Sequence, residues 1–216
     1  MLSGGKTPTS ATFGLVLLHG RGAGAHDIMG FGDALALPDL ALLAPEAAGL
    51  SWWPTSFLAP AEQMMPYVGA GLAQVDAAVK AFEAEGLPRN RIGVLGFSQG
   101  GCLALEYLAR EDAGLGFGVA LSAGLVGKAD VGAPEPALYG HANKAFDYAT
   151  NLSGTFVYMS CHEADPHIPV KRFADSAKVF EVLGATVTAR AKPGQGHGID
   201  EADIAAIRKL LNVASV

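Results

Sequence analysis

The stretch that decides the fold is Gly96-Phe97-Ser98-Gln99-Gly100-Gly101, which follows the apolar run 91–95 and precedes the helix-like run 101–108. The pattern G-x-S-x-G between a strand and a helix predicts a sharp turn that carries the serine at its tip, with glycines giving the turn room to close. The next peptide N–H would lie at a helix N-terminus, where negative charge is favoured. We therefore predict that Ser98 is an exposed nucleophile beside an anion site.

Composition sets the class of protein. The chain has 216 residues, of which 50% are hydrophobic and 17% charged, and this composition is typical of a folded domain. The formal net charge of −6 is spread along the chain without a basic cluster, which argues against nucleic-acid binding. Two cysteines do not make a disulfide framework, and neither a signal peptide nor an apolar run of about 18 residues is readable. We predict one domain over residues 1–216 that is cytoplasmic and not stably anchored to a membrane.

Short apolar runs alternate with longer amphipathic runs, which predicts a mostly parallel central sheet flanked by helices. We expect strands at 13–18, 40–44, 91–95, 118–121, 155–160 and 186–190, and helices at 25–36, 61–85, 101–110, 170–183 and 200–212. Two long segments, 46–60 and 124–150, are expected to be loops, and loops of this length are often functional. No inserted segment predicts a large cap domain, so the expected fold class is α/β without a cap.

The nucleophile needs partners, because a serine hydroxyl requires a general base, and the base requires an acceptor that fixes its tautomer. His197 lies between glycines after the last predicted strand, at the sheet edge where α/β folds place catalytic groups. Asp165 follows the fifth predicted strand, whereas Glu163 and Asp200 are alternative acids, with Asp200 better suited to capping the last helix. The order Ser98, Asp165, His197 is that of the α/β-hydrolases.

A second motif, HGRGA at residues 19–23, follows the first predicted strand. This is the place from which an α/β-hydrolase takes its second oxyanion donor. A donor from this loop and the peptide N–H of Gln99 would then form an oxyanion hole, in which each donor is typically worth about 3 kcal/mol in the transition state. His19 is expected to hold this loop by hydrogen bonds.

Four segments, 18–22, 96–101, 165–169 and 196–198, resemble the signatures of the phospholipase/carboxylesterase family. This family of small α/β-hydrolases includes acyl-protein thioesterases and bacterial carboxylesterases, and the match spans nearly the whole chain in order. The resemblance implies a triad of Ser98, Asp165 and His197, an oxyanion hole from the N–H groups of Arg21 and Gln99, and no cofactor. The thioesterase branch has HGLGD where this chain has HGRGA. That difference favours the carboxylesterases and places a cation near the mouth of the site.

The substrate pocket is predicted from the apolar residues of the first long loop and their neighbours. We expect its wall to include Trp52, Trp53, Phe57, Met65 and Leu125. The same residues would also suit the core or a homodimer face. We expect hydrolysis of a small-molecule substrate, a short-to-medium acyl or aromatic ester, through an acyl-enzyme intermediate. An acyl-thioesterase or a lysophospholipase of the same fold is the alternative.

Two other classes of protein also fit parts of the sequence. Gly20, Gly22 and Ala25 match G-x-G-x-x-A after a strand, and Glu46 lies near the spacing of a ribose-binding acid, as in a dinucleotide site. That hypothesis leaves the candidate triad unexplained. A protein of hydrolase fold that binds ligands without catalysis is the third class. The histidines do not form HExxH or another metal spacing, so we expect no metal site.

Overall fold

Strands and helices alternate along residues 1–110 and 114–213, which the computed structural model describes. The remaining residues of the predicted domain, 111–113 and 214–216, lie outside the described part. The strands are β1 (Leu2–Gly5), β2 (Phe13–Leu18), β3 (Leu40–Ala44), β4 (Ile92–Phe97), β5 (Phe117–Leu121), β6 (Asp130–Glu135), β7 (His141–Lys144), β8 (Phe156–Ala164) and β9 (Thr186–Gln195). The α-helices are α1 (Ala25–Ala34), α2 (Ala61–Ala84), α3 (Gln99–Arg110), α4 (Val170–Val182) and α5 (Glu201–Val213).

Seven of these strands form one sheet in the order β1-β3-β2-β4-β5-β8-β9. All neighbouring pairs are parallel except β1, which pairs antiparallel with β3 at the edge. The central strands are continuous apolar runs because both faces of the sheet are covered. Along β2, Leu15 and Leu17 pack into one core, whereas Val16 and Leu18 pack into the other.

Helices cover both faces of this sheet. Ile28 of α1 and Ile207 of α5 belong to one buried cluster, and Val75 of α2, Leu103 of α3 and Phe173 of α4 belong to the other. The long connection from β5 to β8 contains only the antiparallel hairpin β6–β7 and a single 3₁₀ turn within the described residues. The predicted α/β fold without a large cap domain is confirmed.

Three strands were not expected from the sequence. β1 reads Leu-Ser-Gly-Gly and has no apolar alternation, so its conformation depends on pairing with β3. β6 is almost wholly exposed, contains Gly132 and Pro134, and pairs with β7 across a register irregularity. Such strands form because a partner is present, and local pattern does not reveal them.

The last two sheet strands also run further than predicted. The apolar pattern ends near Ser160 in β8 and Arg190 in β9, but parallel pairing continues to Ala164 opposite Gln195. Backbone hydrogen bonds need no apolar side chains, so the ladder extends into the predicted loops. As a result, the segments that follow the two strands begin side by side, at the carboxyl ends of β8 and β9.

The crossing of β4 and α3 depends on two glycines. A Cβ on Gly96 would lie 2.2 Å from the carbonyl carbon of Gly100, and a Cβ on Gly100 would lie 2.1 Å from the carbonyl oxygen of Leu18. Between them Ser98 has φ of 53°, in the left-handed region that non-glycine residues rarely adopt. Only glycine therefore fits on either side of the serine.

We predict that Gly100→Ala lowers the free energy of unfolding by about 3 kcal/mol, because the added methyl group meets backbone that cannot move aside. Gly69→Ala in α2 is the matched control, since a Cβ there meets nothing within 4 Å. The control should gain about 0.5–1 kcal/mol from higher helix propensity. Urea denaturation measures both variants, and an equal effect of the two would contradict the role of the crossing.

Candidate active site

Ser98 lies at the tip of the turn between β4 and α3. Its N–H donates to the carbonyl of Leu121 at 2.8 Å, and its own carbonyl accepts the N–H of Cys102 at 2.9 Å. These bonds hold the strained backbone, and the side chain projects toward His197. The Ser98 Oγ and the His197 Nε2 are 2.9 Å apart.

The other nitrogen of His197 faces a carboxylate. Nδ1 lies 2.8 Å from Oδ2 and 3.0 Å from Oδ1 of Asp165. Because an ionised carboxylate can only accept, Nδ1 carries the hydrogen and Nε2 offers its lone pair to the serine hydroxyl. The structure thus joins Ser98, His197 and Asp165 in one hydrogen-bonded chain. Of the alternative acids, Glu163 is exposed at the end of β8, and Asp200 accepts from Arg190 at 2.8 Å.

Asp165 is 1% exposed and remains ionised. Burial raises the pKa of its carboxyl, but hydrogen bonds from His197 and from the N–H groups of His167 and Ile168 outweigh burial, so the pKa lies below its usual range. The hydrogen bonds from these two N–H groups are 2.8 and 3.0 Å long, and both are accepted by the same oxygen, Oδ1. The thiol of Cys161 lies 3.6 Å from Oδ2. A buried anion with four donors is both compensated and fixed in orientation.

The two residues predicted to supply the oxyanion donors, Arg21 and Gln99, line the same cavity as Ser98. Gln99 is the first residue of α3, so its N–H has no partner within the helix. In the HGRGA loop, the N–H of Gly22 donates to Leu50 and that of Ala23 to Gly20. Among the described residues no hydrogen bond uses the N–H of Arg21 or Gln99. Both groups are therefore available to an oxygen of a bound molecule.

His19 holds this loop, as predicted. Its Nδ1 lies 2.8 Å from the carbonyl of Gly20, and its Nε2 accepts the N–H of Ala47 at 3.1 Å. The ring also stacks on Trp52 with centroids 5.0 Å apart, and the indole N–H donates to the His19 carbonyl at 2.9 Å. The imidazole is a structural bridge between two loops.

The side chain of Gln99 has a second function that the sequence did not reveal. Its Oε1 accepts the N–H of Trp52 at 2.9 Å, and its Nε2 donates to the carbonyl of Trp53 at 2.8 Å. The amide fixes the tryptophan loop against the residue that follows the nucleophile. A glutamine inside G-x-S-x-G is the only sequence signal for this contact.

A cavity of about 510 Å³ opens in front of Ser98. Trp53 and Phe57 line it, as the sequence predicted, and Leu58 and Ile168 add apolar wall. This volume falls within the usual range for small-molecule sites. Other lining residues that sequence reasoning had not assigned to the pocket include Phe97, Tyr139, His141 and His167.

Three residues predicted for the pocket do not line it. Trp52 is buried against His19 behind the wall. Leu125 is fully buried, with its N–H donating to the Ser176 hydroxyl and its carbonyl accepting from Arg172. Met65 packs against the core that surrounds α2. Apolar composition predicted burial correctly for this group, but it could not tell a cavity wall from the core behind it.

Two of the new lining residues come from the hairpin β6–β7, in the segment predicted as a loop. Tyr139 lies in the turn between the strands with φ of 57°, and its hydroxyl donates to the carbonyl of Asp165. His141 begins β7. Lys144 anchors the hairpin by donating to the carbonyl of Ala59 at 2.7 Å and by pairing with Asp130. The segment is thus an ordered part of the cavity rim.

Comparison with known proteins identifies the family to which the chain is similar. The family model described as phospholipase/carboxylesterase matches residues 5–215. The chain belongs to this family. A phospholipase/carboxylesterase from Dyadobacter fermentans DSM 18053 is 34% identical, over 98% of this chain and 95% of that chain, with a TM-score of 0.85.

More distant solved structures share the fold. A carboxylesterase from Bacillus cereus is 18% identical over 99% of this chain and 93% of that one, with a TM-score of 0.73. SOBER1 from Arabidopsis thaliana is 18% identical over 94% of this chain and 98% of that one, with a TM-score of 0.68. Family and fold agree that this chain is an α/β-hydrolase of the carboxylesterase group.

The dinucleotide-site hypothesis has no support in this fold. The N-terminus of α1, where a pyrophosphate would bind, is already faced by two carboxylates. Asp27 accepts the N–H of Gly24 at 2.7 Å, and Glu46 accepts that of Ala25 at 3.0 Å. A bound anion would meet repulsion there in place of free N–H donors. The glycine loop instead lies close to Ser98, since a Cβ on Gly20 would lie 3.5 Å from the Cβ of Ser98.

The cysteine nearest the nucleophile does not compete with it. Cys102 lines the cavity one turn beyond Ser98, and burial raises the pKa of its thiol to about 12. The thiol is therefore protonated at neutral pH and is a poor nucleophile. Across the described residues no cluster of His, Cys, Asp and Glu could hold a metal ion. No helix in that part of the chain is long and apolar enough to cross a membrane.

A buried ion pair supports the loop that carries His197. Lys192 is 2% exposed, and its ammonium donates to the carbonyl of Gly198 at 2.6 Å and to Oδ2 of Asp203 at 2.9 Å. Gly198 directly follows His197 in the chain. The pair therefore holds the backbone next to the base, and nothing in the sequence pattern had indicated it.

Asp203 is itself held by several donors. Burial raises the pKa of its carboxyl, but hydrogen bonds from Lys192, from the Asp200 N–H and from Tyr158 outweigh burial and lower the pKa. The guanidinium of Arg190 lies 3.1 Å from Oδ1. The same guanidinium hydrogen-bonds Asp200 and lowers the pKa of that carboxyl to about 2. The network therefore stays charged throughout the neutral range.

We predict that Lys192→Met lowers the free energy of unfolding by about 3 kcal/mol, because it leaves Asp203 buried with fewer donors. Lys209→Met, at an exposed position of α5, is the control and should change stability by less than about 0.5 kcal/mol. Urea denaturation at pH 7 measures both. Equal stabilities of the two variants would show that the buried pair does not hold this region.

Proposed function

We propose that the protein is a serine carboxylesterase that acts through an acyl-enzyme intermediate. The observation that carries the proposal is the continuous chain from Ser98 Oγ to His197 Nε2 at 2.9 Å and from His197 Nδ1 to the buried Asp165 carboxylate at 2.8 Å. This is the geometry in which a base can activate a serine hydroxyl. The cavity in front of it supplies room for a small ester.

Acylation begins when Ser98 Oγ attacks the ester carbonyl carbon and its proton passes to His197 Nε2. The carbonyl oxygen becomes an oxyanion, which the N–H groups of Arg21 and Gln99 would bind. Asp165 keeps His197 in the required tautomer and stabilises the imidazolium. Collapse of the tetrahedral intermediate breaks the bond to the alcohol oxygen. The alcohol leaves with the proton from His197, and the acyl group remains on Ser98.

Deacylation repeats these steps with water. His197 accepts a proton from a water molecule as its oxygen attacks the acyl carbon, and the second tetrahedral intermediate uses the same oxyanion donors. Its collapse returns the proton to Ser98 Oγ and releases the carboxylic acid. The sequence of steps needs no metal or organic cofactor, since every proton and negative charge has a partner among these residues.

The proposed substrates are esters of short-to-medium acyl chains or aromatic esters. Trp53, Phe57, Leu58 and Ile168 offer flat and branched apolar surface beside the nucleophile. A volume of about 510 Å³ suits a substrate of this size. Ester hydrolysis is favoured over thioester hydrolysis because residues 19–23 read HGRGA, whereas the thioesterase branch of the family has HGLGD.

We expect Ser98→Ala to abolish labelling by a fluorophosphonate probe and to lower kcat on p-nitrophenyl butyrate by about 10⁴-fold or more, since it removes the attacking oxygen. Ser56→Ala removes another serine hydroxyl of the same cavity and should still be labelled. Gel fluorescence and initial rates measure the two effects. Labelling of a well-folded Ser98→Ala protein would place the nucleophile elsewhere.

We expect kcat/KM on p-nitrophenyl esters to be highest between acetate and octanoate and to fall at palmitate, because a long chain exceeds the apolar wall. The series is measured below the critical micelle concentration of each ester. The S-acyl thioester of the best acyl chain, assayed in parallel, separates esterase from thioesterase activity. A maximum at palmitate, or faster turnover of the thioester, would overturn this substrate range.

A further inference from the structure

The cavity in front of Ser98 has a charge character that its proposed function does not require. Its lining residues include one arginine and three histidines, and none is an aspartate or glutamate. The chain as a whole carries a formal net charge of −6. The lining of the site is therefore opposite in sign to the net charge of the chain. Such a difference favours entry of an anionic substrate.

Arg21 contributes the permanent charge. Its Nη1 donates to the carbonyl of Pro54 at 3.2 Å, and its Nη2 donates to that of Thr55. Both acceptors are neutral, and none of the ion pairs among the described residues includes Arg21. Its guanidinium is thus held in place at the rim while its charge is not compensated. Donors of the fork that the two carbonyls do not use remain for a ligand.

The carboxylates that border the same loops are already engaged. Asp165 accepts four hydrogen bonds behind His197. Asp27 and Glu46 accept peptide N–H groups at the start of α1. None of the three lines the cavity. Each is committed to holding backbone or the base, so the arginine at the rim keeps its attraction for an incoming anion.

The rim also supplies imidazole donors. His141 and His167 line the cavity from two different segments, the hairpin and the loop after β8. His167 stands edge-on to the ring of His197, with centroids 4.8 Å apart. An imidazole can donate a hydrogen bond to a carboxylate from either nitrogen, according to its tautomer. These rings and Arg21 line the same cavity as the apolar wall and the reacting serine.

From this arrangement we infer the substrate class: the protein hydrolyses carboxylic esters that carry a carboxylate on the acyl or the alcohol part, with Arg21 as the residue that selects the charge. The inference rests on the proposed esterase function and deepens it. The Arg21 N–H would bind the oxyanion, and the guanidinium of the same residue would bind the distal carboxylate. One residue would therefore set the position of both ends of the substrate.

The test compares carboxylates with carboxamides of the same shape. On the acyl side, mono-p-nitrophenyl glutarate is paired with p-nitrophenyl 4-carbamoylbutanoate. On the alcohol side, 4-carboxyphenyl butyrate is paired with 4-carbamoylphenyl butyrate. Each kcat/KM is divided by the rate constant for hydroxide hydrolysis of that ester. In at least one pair we expect the carboxylate to be preferred about fivefold at low salt, with the preference approaching unity near 0.5 M NaCl.

Variants at Arg21 test whether this residue causes the preference for carboxylate esters. Arg21→Gln should bring the ratio of the normalised kcat/KM of the carboxylate ester to that of its carboxamide to one or below. Arg21→Lys, which keeps the charge, should retain a ratio above one. The ratio is the readout because both esters use the same oxyanion donors, so a general loss of rate cancels. Thermal melting by circular dichroism checks that both variants fold.

Each result has a distinct meaning. Turnover of the carboxamide esters with no preference for either carboxylate overturns the inference and leaves the esterase proposal intact. A preference that Arg21→Gln does not reduce also overturns it. Failure of the folded protein to cleave any of the four esters counts against the esterase proposal itself, and the substrate class falls with it.

Discussion

The contact on which the site depends is the close approach of backbone at Gly96 and Gly100, where β4 meets α3 under the end of β2. No side chain fits there, so the chain must turn within four residues and hold Ser98 in a left-handed conformation. That turn places the serine hydroxyl at the carboxyl end of β4, and α3 begins at the next residue. The orientation of the hydroxyl and the free N–H of Gln99 are therefore two results of one steric constraint.

Two buried carboxylates then hold the base and its loop. Asp165 bonds the ring of His197 directly, and Asp203 acts through Lys192 on the carbonyl of Gly198. Both are costly groups to bury, and both are compensated by several donors. A loop that would otherwise move freely between two glycines is thus held where Ser98 can reach it. Precise placement of this kind is what proton transfer requires.

Much of this arrangement could be predicted because local patterns specified it. The strands β2 and β3 matched their predicted bounds, since continuous apolar runs bounded by turns have few alternatives. The tertiary pairing that extends β8 and β9, the exposed hairpin β6–β7 and the edge strand β1 could not be predicted. In each of these, main-chain hydrogen bonds to a distant segment replace the apolar pattern.

The sequence alone determined the α/β class, the turn at Ser98, the order of the candidate triad residues and a cation beside the first motif. These are encoded by neighbours in the chain. Only the tertiary structure decided which apolar residues line the cavity, so that Trp53 faces it while Trp52 and Leu125 lie behind. It also brought His141 and His167 to the rim and Lys192 under the base. Such placements depend on the packing of segments far apart in sequence, and no local pattern carries that information.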